Sequence, residues 1–243
     1  MSIALNVLLV LACLSTLKTA QKYYTEYRYF RPQAHGTSEA TDLPTSHSDN
    51  IVVVMYGDSR ISQWDPLPSL DNTTFIDAGI AGETTTEMRR RIAHDVLRHK
   101  PDVILIQSGM NDLTASITKG IPDPQAMLVE MKTNLEYLTR VFKESGATVV
   151  LTPVLPGKPL NLQRKMFWHN ELDNRVSETN DFLARLATQQ GVEWLDLSRA
   201  LYDDDNKLRV DWYIDALHVQ KPAYEALNTL VEQHLAKTDK VNR

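Results

Sequence analysis

The stretch Ile51-Val52-Val53-Val54-Met55-Tyr56-Gly57-Asp58-Ser59-Arg60 decides the fold of this chain. Residues 51–56 are apolar or β-branched, which predicts a strand that is buried on both faces. Gly57 ends the strand, because glycine lets the backbone turn sharply without a Cβ clash. Asp58 is expected to shape this turn, and Ser59 then lies where open α/β sheets place their functional groups. Gly-Asp-Ser alone also fits an ordinary turn, so the function depends on the residues at the ends of the other strands.

The rest of the chain alternates between strands and helices. Further strands are predicted at residues 74–77, 103–106, 147–151 and 192–197. Helices are predicted to begin at Thr84, at Pro124 with Asp123 as its cap, at Leu172 and at Pro222. The first of these helices has Met88, Ile92 and Val96 on one face. We therefore expect an α/β fold: a three-layer α/β/α sandwich with a five-stranded, mainly parallel flavodoxin-like sheet. The long loop Thr152–Trp168 is predicted to be a lid or binding loop that sets the depth of the pocket it borders.

Composition excludes several classes of function. At 243 residues, with 42% apolar and 23% charged residues, the chain suits one domain of roughly 190–200 residues plus an appendage. Its net charge is −5 and it has no block of basic residues, so no nucleic-acid partner is expected. Cys13 is the only cysteine, which excludes an intrachain disulfide and a cysteine-based zinc site. The sequence has no phosphate-binding or dinucleotide motif, and we expect neither a cofactor nor a metal ion.

Residues 1–20 form an apolar segment that we expect to be a hydrophobic anchor or a signal segment. As a helix, residues 3–17 would rise about 22 Å, which is shorter than the ~30 Å hydrocarbon core of a bilayer. We favour an uncleaved anchor, with membrane attachment through residues 3–17, because Lys18 at the −3 position makes Ala20 a poor cleavage site. A lipoprotein box ending at Cys13 and an N-terminal helix of the domain itself are the alternatives.

The flanks of this segment give conflicting indications of its orientation. Four basic residues follow the apolar run, and the positive-inside rule would keep them in the cytoplasm: Lys18, Lys22, Arg28 and Arg31. The chemistry indicated by the strand ends argues for export, so we favour an exported, membrane-anchored protein in a periplasmic or other extracytoplasmic location. Residues 21–48, an aromatic cluster and then a polar stretch, are predicted to be a linker, and residues 49–243 to be the folded domain.

Residues with reactive or hydrogen-bonding groups follow the predicted strands. Ser59 follows the first strand, Gly82 the second and Asn111 the third, while Asp215 and His218 lie between the fifth strand and the last helix. The carboxyl ends of parallel strands meet at one edge of a sheet, so the fold should gather these residues there. A hydroxyl nucleophile, a free backbone amide, a side-chain amide and an Asp/His pair are the parts of an acyl-transfer site.

These residues lie in four blocks that together resemble the SGNH hydrolases, also called GDSL-type esterases and lipases. In order, the blocks are Gly57-Asp58-Ser59, Ala78-Gly79-Ile80-Ala81-Gly82-Glu83-Thr84-Thr85, Gly109-Met110-Asn111-Asp112 and Asp215-Ala216-Leu217-His218. Each block is weak alone, but all four occur in the family's order. The resemblance covers about residues 50–236.

The resemblance implies a serine esterase that works without a metal ion. A serine hydroxyl is a poor nucleophile at neutral pH, so Ser59 would need His218 as its base, and Asp215 would hold the other ring nitrogen. The oxyanion would be stabilised by the backbone N–H groups of Ser59 and Gly82 and by the side-chain amide of Asn111.

Arg60 is a departure from the family, which usually has leucine directly after the serine. The nucleophile itself is unaffected, but the packing or the substrate edge beside it must differ. Two alternatives remain for Arg60: an ion pair on the surface or within its helix, or contact with an anionic or polar substrate such as a sugar acid.

We therefore expect a serine esterase that cleaves short-chain carboxylic esters of small molecules or glycans. O-acetyl groups on carbohydrate are a candidate substrate. An O-acyltransferase that transfers the same acyl group to a glycan hydroxyl, and a catalytically silent binding module of the same fold, are the alternatives. Nothing in the sequence indicates the oligomeric state.

Overall fold

A computed structural model describes residues 3–25 and 50–238 of the chain. Helix α1 spans Ile3–Thr25, and its side chains from residue 5 to residue 16 are exposed. Among the helices described, none combines the length and the apolar character needed to cross a bilayer. Membrane attachment through residues 3–17 stays a prediction. Residues 21–25 of the predicted linker belong to α1, and the rest of that linker lies outside the described residues.

Five parallel strands form the central sheet. They are β1 (Ile51–Gly57), β2 (Thr73–Gly79), β3 (Val103–Gln107), β4 (Thr148–Leu151) and β5 (Glu193–Trp194). Their order across the sheet is β2-β1-β3-β4-β5, and every neighbouring pair is parallel. The predicted three-layer fold is confirmed. Strand β5 is shorter than predicted, because the chain turns at Asp196, whose carboxylate accepts the N–H and the hydroxyl of Ser198.

Seven helices surround this sheet in the described part of the chain after residue 49. They are α2 (Ser59–Ser62), α3 (Thr85–Met88), α4 (Met110–Ser116), α5 (Pro124–Glu144), α6 (Leu162–Phe167), α7 (Leu172–Gln190) and α8 (Lys221–Leu235). Helix α5 begins with Asp123 as its N-cap and proline in its first turn, as the sequence predicts.

The helix predicted from Thr84 is interrupted. It starts as expected, because the backbone N–H of Thr84 donates to the carboxylate of Glu87 at 2.8 Å. It then gives way to a π-helical turn at Ile92–Val96 and a 3-10 turn at Leu97–His99. The interruption lies at Arg91, whose guanidinium binds carbonyl oxygens at the ends of β1 and β2. Tertiary contacts thus override the local preference for one continuous helix.

Strand β1 is buried on both faces. Val54 and Tyr56 belong to the apolar core on one side of the sheet, and Val53 and Met55 belong to the core on the other side. Because the chain passes from β1 outward to β2 and then back to β3 on the other side, the strand order reverses beside β1. In open α/β sheets this reversal leaves a crevice at the carboxyl ends of the strands.

Two glycines let helix α2 lie directly on the strand ends at this crevice. Gly57 and Gly79 are register partners in β1 and β2. A Cβ on Gly79 would lie 2.2 Å from the backbone nitrogen of Ser62, and one on Gly57 would lie 2.1 Å from the carbonyl oxygen of Gln107. Both distances are far below van der Waals contact, so these positions accept only glycine without backbone movement. The close approach brings Ser59 to the mouth of the crevice.

Candidate active site

Ser59 is the first residue of helix α2. The carboxylate of Asp58, the N-cap, accepts the backbone N–H of Arg60 at 3.0 Å, so Asp58 shapes the turn as expected. Ser59 is 8% exposed. The sharp strand-to-helix turn thus fixes the backbone of Ser59 while its hydroxyl borders the crevice.

A chain of hydrogen bonds joins Ser59 to two residues near the C-terminus. The Oγ of Ser59 lies 2.9 Å from Nε2 of His218, and Nδ1 of His218 lies 2.9 Å from Oδ2 of Asp215. The other carboxylate oxygen of Asp215 accepts the backbone N–H groups of Leu217 at 2.7 Å and of His218 at 2.8 Å. The structure therefore brings Ser59 together with Asp215 and His218, two predicted site residues from a distant part of the chain. The Asp215–His218 loop holds its own imidazole in place.

Asp215 is held in its ionised form. Partial burial alone would raise the pKa of this carboxyl group. The hydrogen bonds from the backbone N–H groups of His218 and Leu217, together with the imidazole of His218, outweigh that effect and lower its pKa to about 2. The group beside the imidazole is therefore a carboxylate throughout the neutral pH range, so it favours a proton on Nδ1 of His218.

Three hydrogen-bond donors surround the same cleft. Gly82 has a φ of +82°, a backbone conformation that favours glycine. Among residues 50–238, no acceptor pairs with the backbone N–H of Ser59 or of Gly82. Asn111 is 6% exposed, and one N–H of its side-chain amide donates to the carbonyl oxygen of Glu83 at 3.0 Å. The cleft is thus bordered by donors from the ends of three strands.

Arg91 holds the ends of β1 and β2 and the loop after β2 together. Its guanidinium donates to the carbonyl oxygen of Ala78 at 2.8 Å, to that of Gly57 at 3.1 Å and to the carboxylate of Glu83 at 2.8 Å. Glu83 directly follows Gly82. The sequence did not single out Arg91, because two further arginines directly precede it. Only the position of the strand ends distinguishes Arg91 from them.

Asp112 joins the loop after β3 to helix α3. Its buried carboxylate accepts the backbone N–H of Thr85 at 3.0 Å and the hydroxyl of Thr85 at 2.7 Å. Burial raises the pKa of Asp112 to about 7, against the lowering effect of these hydrogen bonds. Because Asp112 follows Asn111, this contact fixes the distance between the amide of Asn111 and the loop that carries Gly82.

Comparison with known proteins identifies the family. The model of the GDSL-like Lipase/Acylhydrolase family matches residues 44–226. The chain belongs to this family. The expected resemblance is confirmed, and ester hydrolysis, at the general level of the family, follows from membership.

Solved structures share the fold of this acylhydrolase. A GDSL-like lipase from Bacteroides thetaiotaomicron superposes with a TM-score of 0.62 at 21% identity, over 76% of this chain and 88% of that one. A catalytic mutant of an acetylxylan esterase from Geobacillus stearothermophilus gives a TM-score of 0.62 at 14% identity, over 80% and 97%. At these identities the likeness shows the fold.

A curated relative of this acylhydrolase is an uncharacterized lipoprotein, YqeF, from Bacillus subtilis. The two are 29% identical over 134 residues, which is 49% of this chain and 54% of the relative. The chain thus matches about half the length of that protein.

The cleft beside Ser59 is small. It encloses a cavity of about 200 Å³. Its walls come from the loops after β1, β2 and β3 and from the Asp215–His218 loop: Ser59, Arg60, Gln63, Ala81, Gly82, Met110, Asn111, Leu217 and His218. Every predicted oxyanion donor therefore borders one cavity together with the imidazole.

The loop Thr152–Trp168 does not line this cavity, so the prediction that it sets the depth of the acyl pocket is wrong. Residues 152–155 are buried beneath the site, and α6 forms in the second half of the loop. Pro156 and Gly157 instead border a separate cavity of about 400 Å³, which is also lined by residues of α7. The loop is a packed support because its apolar residues Val154 and Leu155 belong to the two cores.

The Arg60 side chain points into the protein and is 1% exposed. Its guanidinium donates to the carbonyl oxygens of Leu155 and Pro156. Among the described residues, no carboxylate forms a salt bridge with it, so the expected ion pair is absent from this part of the chain. Arg60 borders the cleft, but its two terminal nitrogens bind these carbonyl groups, and its Nε is buried without a hydrogen-bond partner among the described residues. A guanidinium buried in this way does not favour the alternative of a substrate contact.

Proposed function

We propose that this acylhydrolase is a serine esterase that removes short acyl groups through an acyl-enzyme on Ser59. The observation that carries this proposal is the continuous hydrogen-bonded chain from Ser59 through His218 to Asp215, with 2.9 Å at each link. This is the arrangement that a serine needs for activation, because its hydroxyl is a weak nucleophile without a base in contact.

The proton transfers follow from the positions of the two ring nitrogens. With Nδ1–H of His218 donated to Asp215, the lone pair on Nε2 faces the hydroxyl of Ser59. As Oγ attacks the ester carbonyl carbon, its proton passes to Nε2, and the resulting imidazolium is stabilised by the carboxylate. The departing alcohol takes that proton as the C–O bond breaks. Water then repeats the same steps on the acyl-enzyme and releases the acid and free Ser59.

The charge on the carbonyl oxygen is stabilised by the donors around the cleft. The backbone N–H groups of Ser59 and Gly82 lack a protein acceptor among the described residues, and Asn111 has a second amide N–H beyond the one bound to Glu83. These donors are held in place before substrate arrives, by Arg91 and Asp112. Preorganised donors of this kind stabilise the transition state more than the ground state.

Removing the Asn111 amide is expected to lower kcat by about 10²- to 10³-fold with a much smaller change in KM. The Asn111→Ala variant would be assayed on a short-chain ester, with thermal unfolding measured in parallel. Asn111→Asp is the matched control, because it preserves the shape of the side chain but removes the donor, and it should lose activity as well. An unchanged kcat in both folded variants would exclude Asn111 from the oxyanion hole.

The substrate class follows from the size of the cavity. At about 200 Å³ it is smaller than the roughly 300–1,000 Å³ typical of sites for drug-sized ligands, so it suits a short acyl group. A long acyl chain would have to lie outside it. Acetylxylan esterases among the solved structures of this fold support O-acetyl groups on carbohydrate as the substrate.

The location of the protein belongs to the same proposal. The curated relative is named a lipoprotein, and helix α1 exposes apolar side chains along its length. Both observations support an exported protein attached to a membrane through residues 3–17. An extracytoplasmic glycan ester would then be accessible to the cleft.

A panel of p-nitrophenyl esters with acyl chains from two to twelve carbons, plus an acetylated xylo-oligosaccharide, tests the proposal on the full chain. We expect the highest kcat/KM for the shortest acyl chains. A fluorophosphonate probe should label Ser59, and the label should be absent in the His218→Ala variant. No turnover of any ester together with no labelling would overturn the proposed function.

A further inference from the structure

The carbonyl oxygen of Pro156 is shared by two donors from different parts of the site. The guanidinium of Arg60 donates to it at 3.1 Å, and the hydroxyl of Tyr213 donates to it at 2.9 Å. Arg60 follows the nucleophile directly. Tyr213 begins the loop that carries Asp215 and His218, and it forms an antiparallel bridge with Val219 at the other end of that loop. One partly buried carbonyl group thus links the residue after Ser59 to the start of the loop that carries Asp215 and His218.

The residues after Pro156 contact the same loop. The backbone N–H of Lys158 donates to the carbonyl oxygen of Ala216 at 2.8 Å. Gly157 packs so closely that a Cβ there would lie 3.1 Å from that carbonyl oxygen. The segment Leu155–Lys158 therefore touches Arg60 on one side and the Asp215–His218 loop on the other. The segment thus connects that loop with helix α2.

We propose that Arg60 is a positioning residue, which sets the distance between Ser59 and His218 by holding the segment Leu155–Lys158 against both. This inference rests on the proposed function, because the distance matters only if Ser59 is activated by His218. Arg60 acts through Leu155, Pro156 and Tyr213 and touches no reacting atom.

The chemistry of arginine suits this position. The planar guanidinium presents several N–H groups in a fixed fork, so it binds two successive carbonyl oxygens in one geometry. Lysine would present a compact ammonium on a flexible stem, and an apolar side chain would leave both carbonyl groups without these donors. Burial lowers the pKa of Arg60, and the nearby Tyr213, Asp58 and Asp215 only partly offset this cost of burying the charge.

The test compares Arg60→Met, Arg60→Lys and Tyr213→Phe on a short-chain ester. We expect Arg60→Met to lower kcat by about 10- to 100-fold with little change in KM, because misplacement of a catalytic group by about 1 Å has an effect of this size. Arg60→Lys should recover part of the loss. Tyr213→Phe should lower kcat less, and combining it with Arg60→Met should add no more than a twofold loss, because both act through Pro156.

Two matched controls separate this effect from a general loss of charge or of a hydroxyl. Arg140 forms an exposed ion pair with Glu144, and Arg140→Met should leave kcat unchanged. Tyr224 is a buried tyrosine on the same side of the sheet, whose hydroxyl has no hydrogen-bond partner among the described residues. Tyr224→Phe should therefore leave kcat unchanged, whereas Tyr213→Phe should not.

The distance between Ser59 and His218 tests the positioning role without an activity assay. In a crystal structure of the Arg60→Met variant, or of Tyr213→Phe if that variant does not fold, Oγ of Ser59 and Nε2 of His218 should lie farther apart than hydrogen-bond distance. A distance that stays at 2.9 Å, or a kcat within twofold of the parent in folded Arg60→Met, would overturn the positioning role. If the parent hydrolyses no ester while the two groups still separate in the variant, the proposed function fails and the positioning role stands.

Discussion

Replacing Ser59 by alanine is expected to lower kcat for a short-chain ester by about 10⁴- to 10⁶-fold, while the protein stays folded. The hydroxyl is the group that forms the acyl-enzyme, and no other residue of the cleft can replace it at 2.9 Å from His218. Stability should change little, because Ser59 is a small side chain at the rim of the site. Steady-state kinetics and thermal unfolding on the full chain would measure both effects.

Ser177→Ala is the matched control for this variant. Ser177 is an exposed serine on α7, away from the cleft beside Ser59, and its loss should leave kcat unchanged. A Ser59→Ala protein that hydrolyses the ester at the parental rate would remove Ser59 from the mechanism.

Asp215→Asn is expected to lower kcat by about 10³- to 10⁴-fold near neutral pH. The amide nitrogen of asparagine opposite Nδ1 of His218 would favour the tautomer with its proton on Nε2. That tautomer cannot accept the proton of Ser59, although the geometry of the loop is preserved. A kcat within tenfold of the parent would show that the carboxylate has no part in fixing the tautomer.

The effect of pH on Asp215 has a definite sign. Its pKa of about 2 in the folded protein is below the ordinary value of 3.8, so the folded state favours the carboxylate. Its contribution to stability is therefore present above about pH 4 and is lost as the pH falls toward 2. Acid unfolding followed by circular dichroism should show a smaller loss of stability between pH 4 and pH 2 in Asp215→Asn than in the parent. An equal loss would contradict the lowered pKa.

Much of the fold was predictable because local sequence signals agree with one another. The apolar run before Gly57 predicted the central strand, and the Asp123 cap with proline in the first turn predicted the start of α5. Ser59, Asn111 and His218 each follow a strand or precede a helix, so the parallel topology alone was enough to place them at one edge. Their meeting in space was a consequence of the fold.

Contacts between distant segments were not predictable. Arg60 was expected to form an ion pair or to contact substrate, because its sequence neighbours give no sign that two carbonyl groups of the Leu155–Lys158 segment lie beneath it. The interruption at Arg91 has the same origin, since the periodicity of Met88, Ile92 and Val96 is preserved while the backbone deviates. The loop after β4 was misread for a related reason: its prolines indicate a loop but do not tell a packed support from a lid.

The parallel sheet also determines which way the cleft faces. The chain enters β1 at Ile51, and Ser59 lies beyond the other end of that strand, about 20 Å away. A tether that precedes Ile51 would meet the amino ends of the strands, and the mouth of the cleft would open on the opposite side. A tether at that end would leave the mouth of the cleft facing away from the point of attachment and open to polymers in the surrounding medium.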